Sequence, residues 1–335
     1  MTPDRTDRDV VLIVSAFDSP AIAEDAEILS ASYSVRRAAG NGPAALLRAA
    51  SGVFSCDIVY CWFLSVYGAV AILLGSVLGR RTVVVIGGVD VARDAESGYG
   101  LWLSPWKAFL ARRALRRADL VLAVAESLRD DAVRLAQYDG ANIRVLPTGY
   151  DPGFWSPGGP RSTDVLCVAA VGDRARLSIK GIDVLVDAAR RMPGAGVTIL
   201  GVDPRFIPEL DPPPNVSFLP HVPRAELLAV YRSARVYCQP SMREGLPGAL
   251  CEAMLCGCYP VVTAAGGMTL AVGDAGIVVR PGDAAALAGA LLKALSIPDQ
   301  VQNAGRSRIA GLFPFERRKT ELTGLLDSLS NSVNR

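Results

Sequence analysis

Two carboxylates and a pair of free backbone donors stand close together between Gln239 and Thr263. The stretch reads as strand end, loop, helix, turn, strand. Pro247 fits the first position of a helix, where its missing N–H costs nothing. The N–H groups of Gly248 and Ala249 then fall in the first turn without intrahelical partners. Free donors and the positive end of the helix dipole point the same way there, which suits an anion. Glu244 precedes the helix, and Glu252 lies near Gly248 at i, i+4 spacing on the helix surface. A carboxylate accepts two hydroxyl hydrogen bonds, as a ribose or hexose diol would offer. The chemistry is then a diphosphate on the helix end with sugar hydroxyls on the acids. The same residues would also make a capped surface helix with two solvated acids.

A matching cation lies at the end of an earlier strand. Gly172 to Gly181 reads Gly-Asp-Arg-Ala-Arg-Leu-Ser-Ile-Lys-Gly. Lys180 can reach phosphate as a point charge, and a nearby arginine can clamp it bidentately. A flexible basic loop is the bland alternative. In the first half, Gly87-Gly88-Val89-Asp90 closes the strand Arg81–Ile86. Two glycines there permit a tight turn or close approach to a ligand. Asp90 would project into the crevice beyond the strand ends, or else cap a turn. Asp18 follows the first strand at a similar position.

These residues need a frame of alternating strands and helices. Val10 to Ala16 is a continuous apolar run, as in a parallel sheet covered on both faces. Strand and helix signals then alternate up to Pro147. Asp151 to Thr163 is rich in Pro and Gly and reads as a linker. A second alternating series runs from Val165 to Leu295, and a charged helix from Phe315 to Val333 ends the chain. Each half should be a doubly wound parallel sheet. The expected divisions are residues 1–150, a linker at 151–163, residues 164–312, and a terminal helix within 313–335, which could cross back to the first domain.

Composition narrows the function classes. The chain has 335 residues, 50% of them hydrophobic, and a net charge of +2. No nucleic-acid-scale basic field is expected. Met1 to Asp9 is polar and charged, which does not read as a secretory leader. Seven scattered cysteines point to buried free thiols in a reducing, cytoplasmic setting; Cys256-x-Cys258 lacks the second pair that a metal site wants. No metal is expected. Ile58 to Gly79 carries no charge and is long enough for a bilayer, but strand, turn and buried helix fit it better. Residues 102–117 combine Trp102, Trp106 and Phe109 with Lys107, Arg112, Arg113, Arg116 and Arg117. This amphipathic helix could touch anionic lipid or an anionic acceptor, or simply be a solvated charged face.

The pattern Pro-Ser-x-x-Glu-Gly-Leu-Pro-x-x-Leu-x-Glu-Ala-Met-x-x-Gly-x-x-Pro-Val-Val resembles the Glu-x7-Glu element of retaining glycosyltransferases of family 4. Arg176-Leu177 and Lys180-Gly181 resemble that family's diphosphate element, although Asp173 stands where arginine is usual. Either Arg176 or Arg174 would be the clamp. The run from Val216 to Val222, with His221, resembles the loop beside the nucleotide base. Gly266-Gly267 also matches, with Leu270 replacing the usual glutamate. In the first half Gly87-Gly88-Val89-Asp90 and Tyr99-Gly-Leu-Trp102 look like some members. The first-domain histidine of the family is missing, because His221 is the only histidine.

The resemblance implies a GT-B fold, with two Rossmann-like domains facing a cleft. It implies a metal-independent retaining transferase moving a sugar from a nucleoside-diphosphate sugar to a small metabolite or a saccharide. A UDP-sugar is expected ahead of a GDP-sugar, as substrate and not cofactor. Donor contacts would come from Gly172, Arg176, Lys180, His221 and Val222. The Glu244–Ala249 segment would add Glu244, Gly245, Leu246, Pro247, Gly248 and Ala249, and Glu252 would follow. Acceptor contacts would come from Asp18, Gly87, Gly88, Asp90 and Tyr99. Lys180, Glu244 and Asp90 would carry catalysis. The missing histidine also motivates a second hypothesis, a non-catalytic nucleotide-sugar-binding subunit. A nicotinamide enzyme is disfavoured, since no Gly-x-Gly-x-x-Gly follows an early strand.

Overall fold

The computed structural model describes residues 8–298 and 303–331. It divides into two units, Met1–Thr148 with Glu316–Arg335, and Gly149–Phe315. In the first unit β1 (Val10–Ser15), α1 (Pro20–Ser30), β2 (Ser34–Ala39), α2 (Pro43–Val53), β3 (Ile58–Trp62), α3 (Val66–Val77), β4 (Arg81–Ile86), α4 (Pro105–Arg117), β5 (Leu120–Ala123), α5 (Glu126–Ala136) and β6 (Ile143–Val145) follow in order. The six strands form one sheet in the order β2-β1-β3-β4-β5-β6, and every pairing is parallel. All five residues of β3 are buried, as expected of a central strand covered on both faces.

Local chemistry sets the helix starts. Ser19 caps α1, with Pro20 at its first turn, and Ser65 caps α3 by accepting from the Gly68 N–H at 3.2 Å. A Cβ at Gly68 would lie 2.1 Å from Cys61 Sγ, so glycine lets α3 sit directly on β3. The uncharged run at 58–79 is thus strand and helix. Among the described residues no helix is long and apolar enough to cross a membrane. The helix expected over 102–117 is shorter, beginning at Pro105. Trp102 lies in a separate 3-10 turn, buried, with its indole N–H on the Asp90 carbonyl at 2.8 Å. Burial of that ring and its one donor overrides the helical pattern. Arg112 and Arg116 reach back to the carbonyls of Leu135, Ala136 and Gln137 at the end of α5.

The terminal helix, here numbered after those of the second unit as α14 (Phe315–Asn331), lies in the first unit from Glu316 onward. Its anchor is Arg318, which donates to both oxygens of Asp25 at 2.7 Å and to the carbonyls of Leu146 and Pro147 at 3.0 Å. Asp25 also accepts from the Tyr60 hydroxyl and the Trp62 indole. The two charged side chains are 2% and 0% exposed. Burial works against the charge of Arg318, and the Asp25 carboxylate overcomes it, holding the guanidinium above its ordinary pKa. Near the start of the chain Asp9 pairs with Arg81 at 2.7 Å, while Asp7 lies outside the described residues. Val333, the expected end of the terminal helix, also lies outside them.

The second unit contains β7 (Thr163–Val171), α6 (Arg174–Ile179), α7 (Ile182–Arg190), β8 (Val197–Val202), α8 (Ile207–Leu210), β9 (Val216–Leu219), α9 (Arg224–Ser233), β10 (Ala234–Gln239), α10 (Gly248–Leu255), β11 (Tyr259–Thr263), α11 (Met268–Val272), β12 (Ile277–Val279), α12 (Ala284–Leu295) and α13 (Asn303–Leu312). Its six strands run β12-β11-β10-β7-β8-β9, all parallel. One core cluster joins Val165, Ile199, Leu185 and Leu291; another joins Trp155, Tyr231, Tyr237, Leu250 and Met254. The Pro- and Gly-rich segment 151–163, expected as a linker, belongs to this unit. Trp155 is wholly buried, and Arg306 donates to the carbonyls of Pro152 and Trp155 at 2.7 Å. A buried tryptophan and bonded carbonyls outweigh what composition alone suggests. All seven cysteines are free and buried.

Candidate functional site

In the second sheet the chain moves outward from β7 to β9, returns to β10 beside β7, and moves outward again to β12. The reversal lies between β7 and β10. In open parallel sheets ligands bind beyond the carboxyl ends of the strands at such a reversal. The loops after β7 and β10 meet there. Lys180 closes α6, and its Nζ lies 2.5 Å from Oε1 of Glu244 in the loop after β10.

Several contacts hold the two loops in register. Asp173 caps α6 by accepting from the Arg176 N–H at 2.7 Å. The Met242 N–H donates to the Ile179 carbonyl at 2.8 Å. Gly181 has φ +62, and a Cβ there would lie 2.1 Å from the Pro240 carbonyl oxygen. Only glycine allows this approach. On the other side, a Cβ at Gly266 would lie 1.8 Å from the Glu244 carbonyl oxygen, and the Gly267 N–H donates to the Gly245 carbonyl at 2.7 Å. The double glycine therefore seats the Glu244–Gly245 backbone.

A ladder of buried polar side chains orients the Glu244 carboxylate. Tyr237 donates to Gln239 Oε1 at 2.8 Å. Gln239 Nε2 and Ser241 Oγ donate to Glu244 Oε1 at 2.9 and 2.7 Å. Thr263 ties its hydroxyl to the Ser241 carbonyl. Sequence reasoning passed over Gln239, Ser241 and Thr263. The available signal was polar side chains at the carboxyl ends of otherwise apolar strands. With three donors on one oxygen, Glu244 is fixed in direction. Its side chain is 10% exposed and that of Lys180 26%, so both remain reachable from solvent.

Pro247 is not the first helical residue as expected. It is the cap, with extended backbone, and Gly248 opens α10. The first helical bond is the Cys251 N–H on the Pro247 carbonyl at 3.3 Å. The Gly248 and Ala249 N–H groups have no acceptor among the described residues. Glu252 also departs from expectation. Residues Leu250 to Leu255 are all buried, and Glu252 is 8% exposed, accepting from the Tyr231 hydroxyl at 3.0 Å. The reading of α10 as a solvated surface helix is thereby excluded. Gly245 and Pro247 are buried, and Leu246 is half-buried.

The remaining expected donor residues are more dispersed. Gly172 is exposed, with open space where a Cβ would stand. Arg174 pairs with Glu209 at 2.8 Å, while Arg176 lies 3.7 Å from its own cap, Asp173. His221 is exposed and Val222 half-buried in the loop before α9.

In the first unit Asp90 is corrected. It does not project beyond the sheet but is 1% exposed. Its oxygens accept from the N–H groups of Leu64 at 3.1 Å, Gly87 at 3.2 Å and Gly88 at 2.8 Å. Burial pushes its pKa up to about 6, with these N–H bonds pulling the other way. Gly87 makes room for the Phe63 ring, which a Cβ would approach to 2.2 Å, rather than for a ligand. Asp18 is exposed and paired with Arg37. Tyr99 is half-buried and bridges Asp94 by backbone bonds.

Known proteins resemble this chain in sequence and in fold. The family model described as Glycosyltransferase Family 4 matches residues 6–154, and that described as Glycosyl transferases group 1 matches residues 163–296. The chain is 31% identical over 189 residues to the D-inositol 3-phosphate glycosyltransferase of Mycolicibacterium smegmatis, across 51% of this chain and 43% of that protein. It is 29% identical over 215 residues to the protein of the same name from Segniliparus rotundus, across 56% and 47%. The chain therefore spans about half or less of the curated relatives it matches. Among solved structures it superposes on sucrose-phosphate synthase from Thermosynechococcus elongatus with a TM-score of 0.79 at 17% identity, covering 97% of this chain and 100% of that one. Anabaena HepE in complex with UDP and glucose gives 0.75 at 16% identity, covering 96% and 100%. Two parallel six-stranded sheets, their matching family models and these superpositions lead to one conclusion: the chain belongs to glycosyltransferase family 4 and has the two-domain α/β GT-B fold.

Proposed function

We propose that this chain transfers a sugar, with retention and without a metal, from a nucleoside-diphosphate sugar to an acceptor hydroxyl. The observation that carries the reading is the Lys180–Glu244 pair, 2.5 Å apart at the sheet reversal and beside the open N–H groups of α10. Lys180 and the N–H groups of Gly248 and Ala249 would hold the diphosphate. Negative charge builds on that group as the glycosidic bond breaks, so a fixed cation there favours the transition state over the ground state. Glu244, held by Gln239 and Ser241, has an oriented carboxylate for the hydroxyls of the transferred sugar. Glu252 would take the ribose hydroxyls. A UDP-sugar is favoured as donor because UDP is the nucleotide bound in the HepE structures.

Attack would come from the face that the phosphate leaves, with a phosphate oxygen accepting the acceptor's proton. This suits a first unit without histidine, in which the oxygens of Asp90 are committed to backbone N–H groups. The seven free thiols support a reducing, cytoplasmic setting. The test is NMR of the anomeric centre of the product formed from a UDP-sugar, with and without chelator. A retained anomer and chelator-insensitive turnover are expected. An inverted anomer would sink the mechanism, and strict dependence on a divalent ion would sink the charge scheme. The absent histidine also favours one other reading, a nucleotide-sugar-binding partner subunit. Binding of UDP-sugar with neither transfer nor hydrolysis would select it.

A further inference from the structure

Two tyrosines stand behind the carboxylates of the second unit, and both precede the motif that begins at Pro240. Tyr231 lies in α9 and Tyr237 in β10. Both are wholly buried, and their rings meet edge-on at 6.0 Å. Burial holds both phenols well above their ordinary pKa, so each keeps its proton and can donate it. They donate to different partners. Tyr231 gives its proton to Glu252 Oε2 at 3.0 Å. Tyr237 gives its proton to Gln239 Oε1 at 2.8 Å, with the Val168 carbonyl further away at 3.3 Å.

The Tyr237 bond decides which way the Gln239 amide faces. The two residues are two apart on β10 and so share one face of the strand. Gln239 is 3% exposed, and both ends of its amide must find partners inside the protein. With Oε1 held by Tyr237, Nε2 is left to donate to Glu244 Oε1 at 2.9 Å. The reversed amide would set two oxygens against each other there, neither carrying a proton. Glu244 Oε1 thus collects Lys180, Gln239 and Ser241, while no described residue bonds Oε2. Oε2 is the oxygen left for a sugar hydroxyl, and the donors gathered on Oε1 set its direction. We infer that the two tyrosines are positioning residues with divided roles, the words ribose and sugar resting on the proposed function. Tyr231, through Glu252, serves the ribose of the nucleotide. Tyr237, through Gln239 and Glu244, serves selection of the transferred sugar.

The test is a double-mutant cycle on the full chain. Dissociation constants are measured for UDP, UDP-glucose and UDP-N-acetylglucosamine, and the tighter of the two sugar nucleotides serves as donor. Tyr237→Phe should leave UDP affinity within about twofold and weaken the donor about tenfold relative to UDP, the worth of about one hydrogen bond. Gln239→Leu should do the same. Adding Tyr237→Phe to Gln239→Leu should do no more, because the hydroxyl acts through the amide. Tyr231→Phe should weaken UDP and donor alike. Three results would each overturn the inference: a Tyr237→Phe ratio that is unchanged, losses that multiply in the double variant, or a ratio shifted by Tyr231→Phe. If Tyr237→Phe does not fold, Gln239→Leu decides, and an unchanged ratio there overturns the inference. A parent that binds no UDP, or UDP without either donor, counts against the proposed function instead. The side-chain amide resonance of Gln239 then carries the test without nucleotide. It should move in both Tyr237→Phe and Glu244→Ala, and a resonance unmoved in either would overturn the chain of contacts from Tyr237 to Glu244.

Discussion

Two carboxylate–cation pairs in this molecule share their parts and differ in access. Asp25 receives Arg318, a tyrosine hydroxyl and an indole N–H; Glu244 receives Lys180, a glutamine amide and a serine hydroxyl. The Asp25–Arg318 pair is sealed, at 0% and 2% exposure. It holds the terminal helix to the first sheet, with both oxygens of Asp25 engaged and Arg318 committed to two carboxylate oxygens and two carbonyls. The Glu244–Lys180 pair lies at the carboxyl ends of a sheet, at 10% and 26% exposure. The cation there is a lysine, whose point charge can turn toward a new anion, where the arginine fork is locked on two oxygens and two carbonyls. Similar chemistry thus serves cohesion in one place and, in the proposed function, recognition in the other, with burial setting them apart.

Substitutions should separate the two pairs. Arg318→Met should have the largest effect on folding. It leaves Asp25 buried without its cation and should cost roughly 3–5 kcal/mol in urea unfolding. A change below about 1 kcal/mol would mean that Asp25 escapes to solvent or takes a proton without penalty. Lys180→Ala should act on the chemistry instead. Loss of one charge stabilising the leaving group should lower the rate at saturating donor by about 100- to 1,000-fold, with thermal unfolding little changed. Parent-level turnover would make Lys180 a surface residue.

Asp90 should give a pH signature in stability. Its pKa lies at about 6 in the folded chain against an ordinary 3.8. The folded state therefore keeps a proton that the unfolded chain has already released. That contribution is whole below about pH 3.8 and is lost as the pH rises through about 6, by at most about 3 kcal/mol. The stability of the parent minus that of Asp90→Asn should fall across this window. A flat difference would show that Asp90 is ionised throughout. The smallest effect expected is that of Glu252→Ala on UDP affinity, a loss of roughly 1.5–3 kcal/mol for a charge-assisted hydrogen bond. Unchanged affinity in a folded variant would remove the ribose from Glu252.

Much of this was legible in the sequence because it is local. Apolar runs such as Val11–Val14 announce buried parallel strands, and the spacing from Glu244 to Glu252 announces loop and helix. The pairing of Lys180 with Glu244 was only implied, since 64 residues separate them and the contact depends on Gly181 passing under Pro240. Asp90 misled because a carboxylate after a Gly-Gly strand end looks the same whether it faces a ligand or its own backbone. Trp155 misled because proline and glycine around it mimic a linker, while burial of one indole decides otherwise. The ladder of Tyr237, Gln239 and Ser241 was hidden because its members face one side of β10 and the loop beyond it, which only the folded strand reveals.

The most direct test of the central claim is calorimetric titration of UDP and uridine into the parent chain and Lys180→Ala. If the pair at the second sheet's reversal receives the diphosphate, the parent should prefer UDP to uridine by at least about tenfold, and Lys180→Ala should lose most of that preference while unfolding at the parent's temperature. If Lys180→Ala keeps the full preference for UDP, the diphosphate is bound elsewhere and the assignment of this site is wrong.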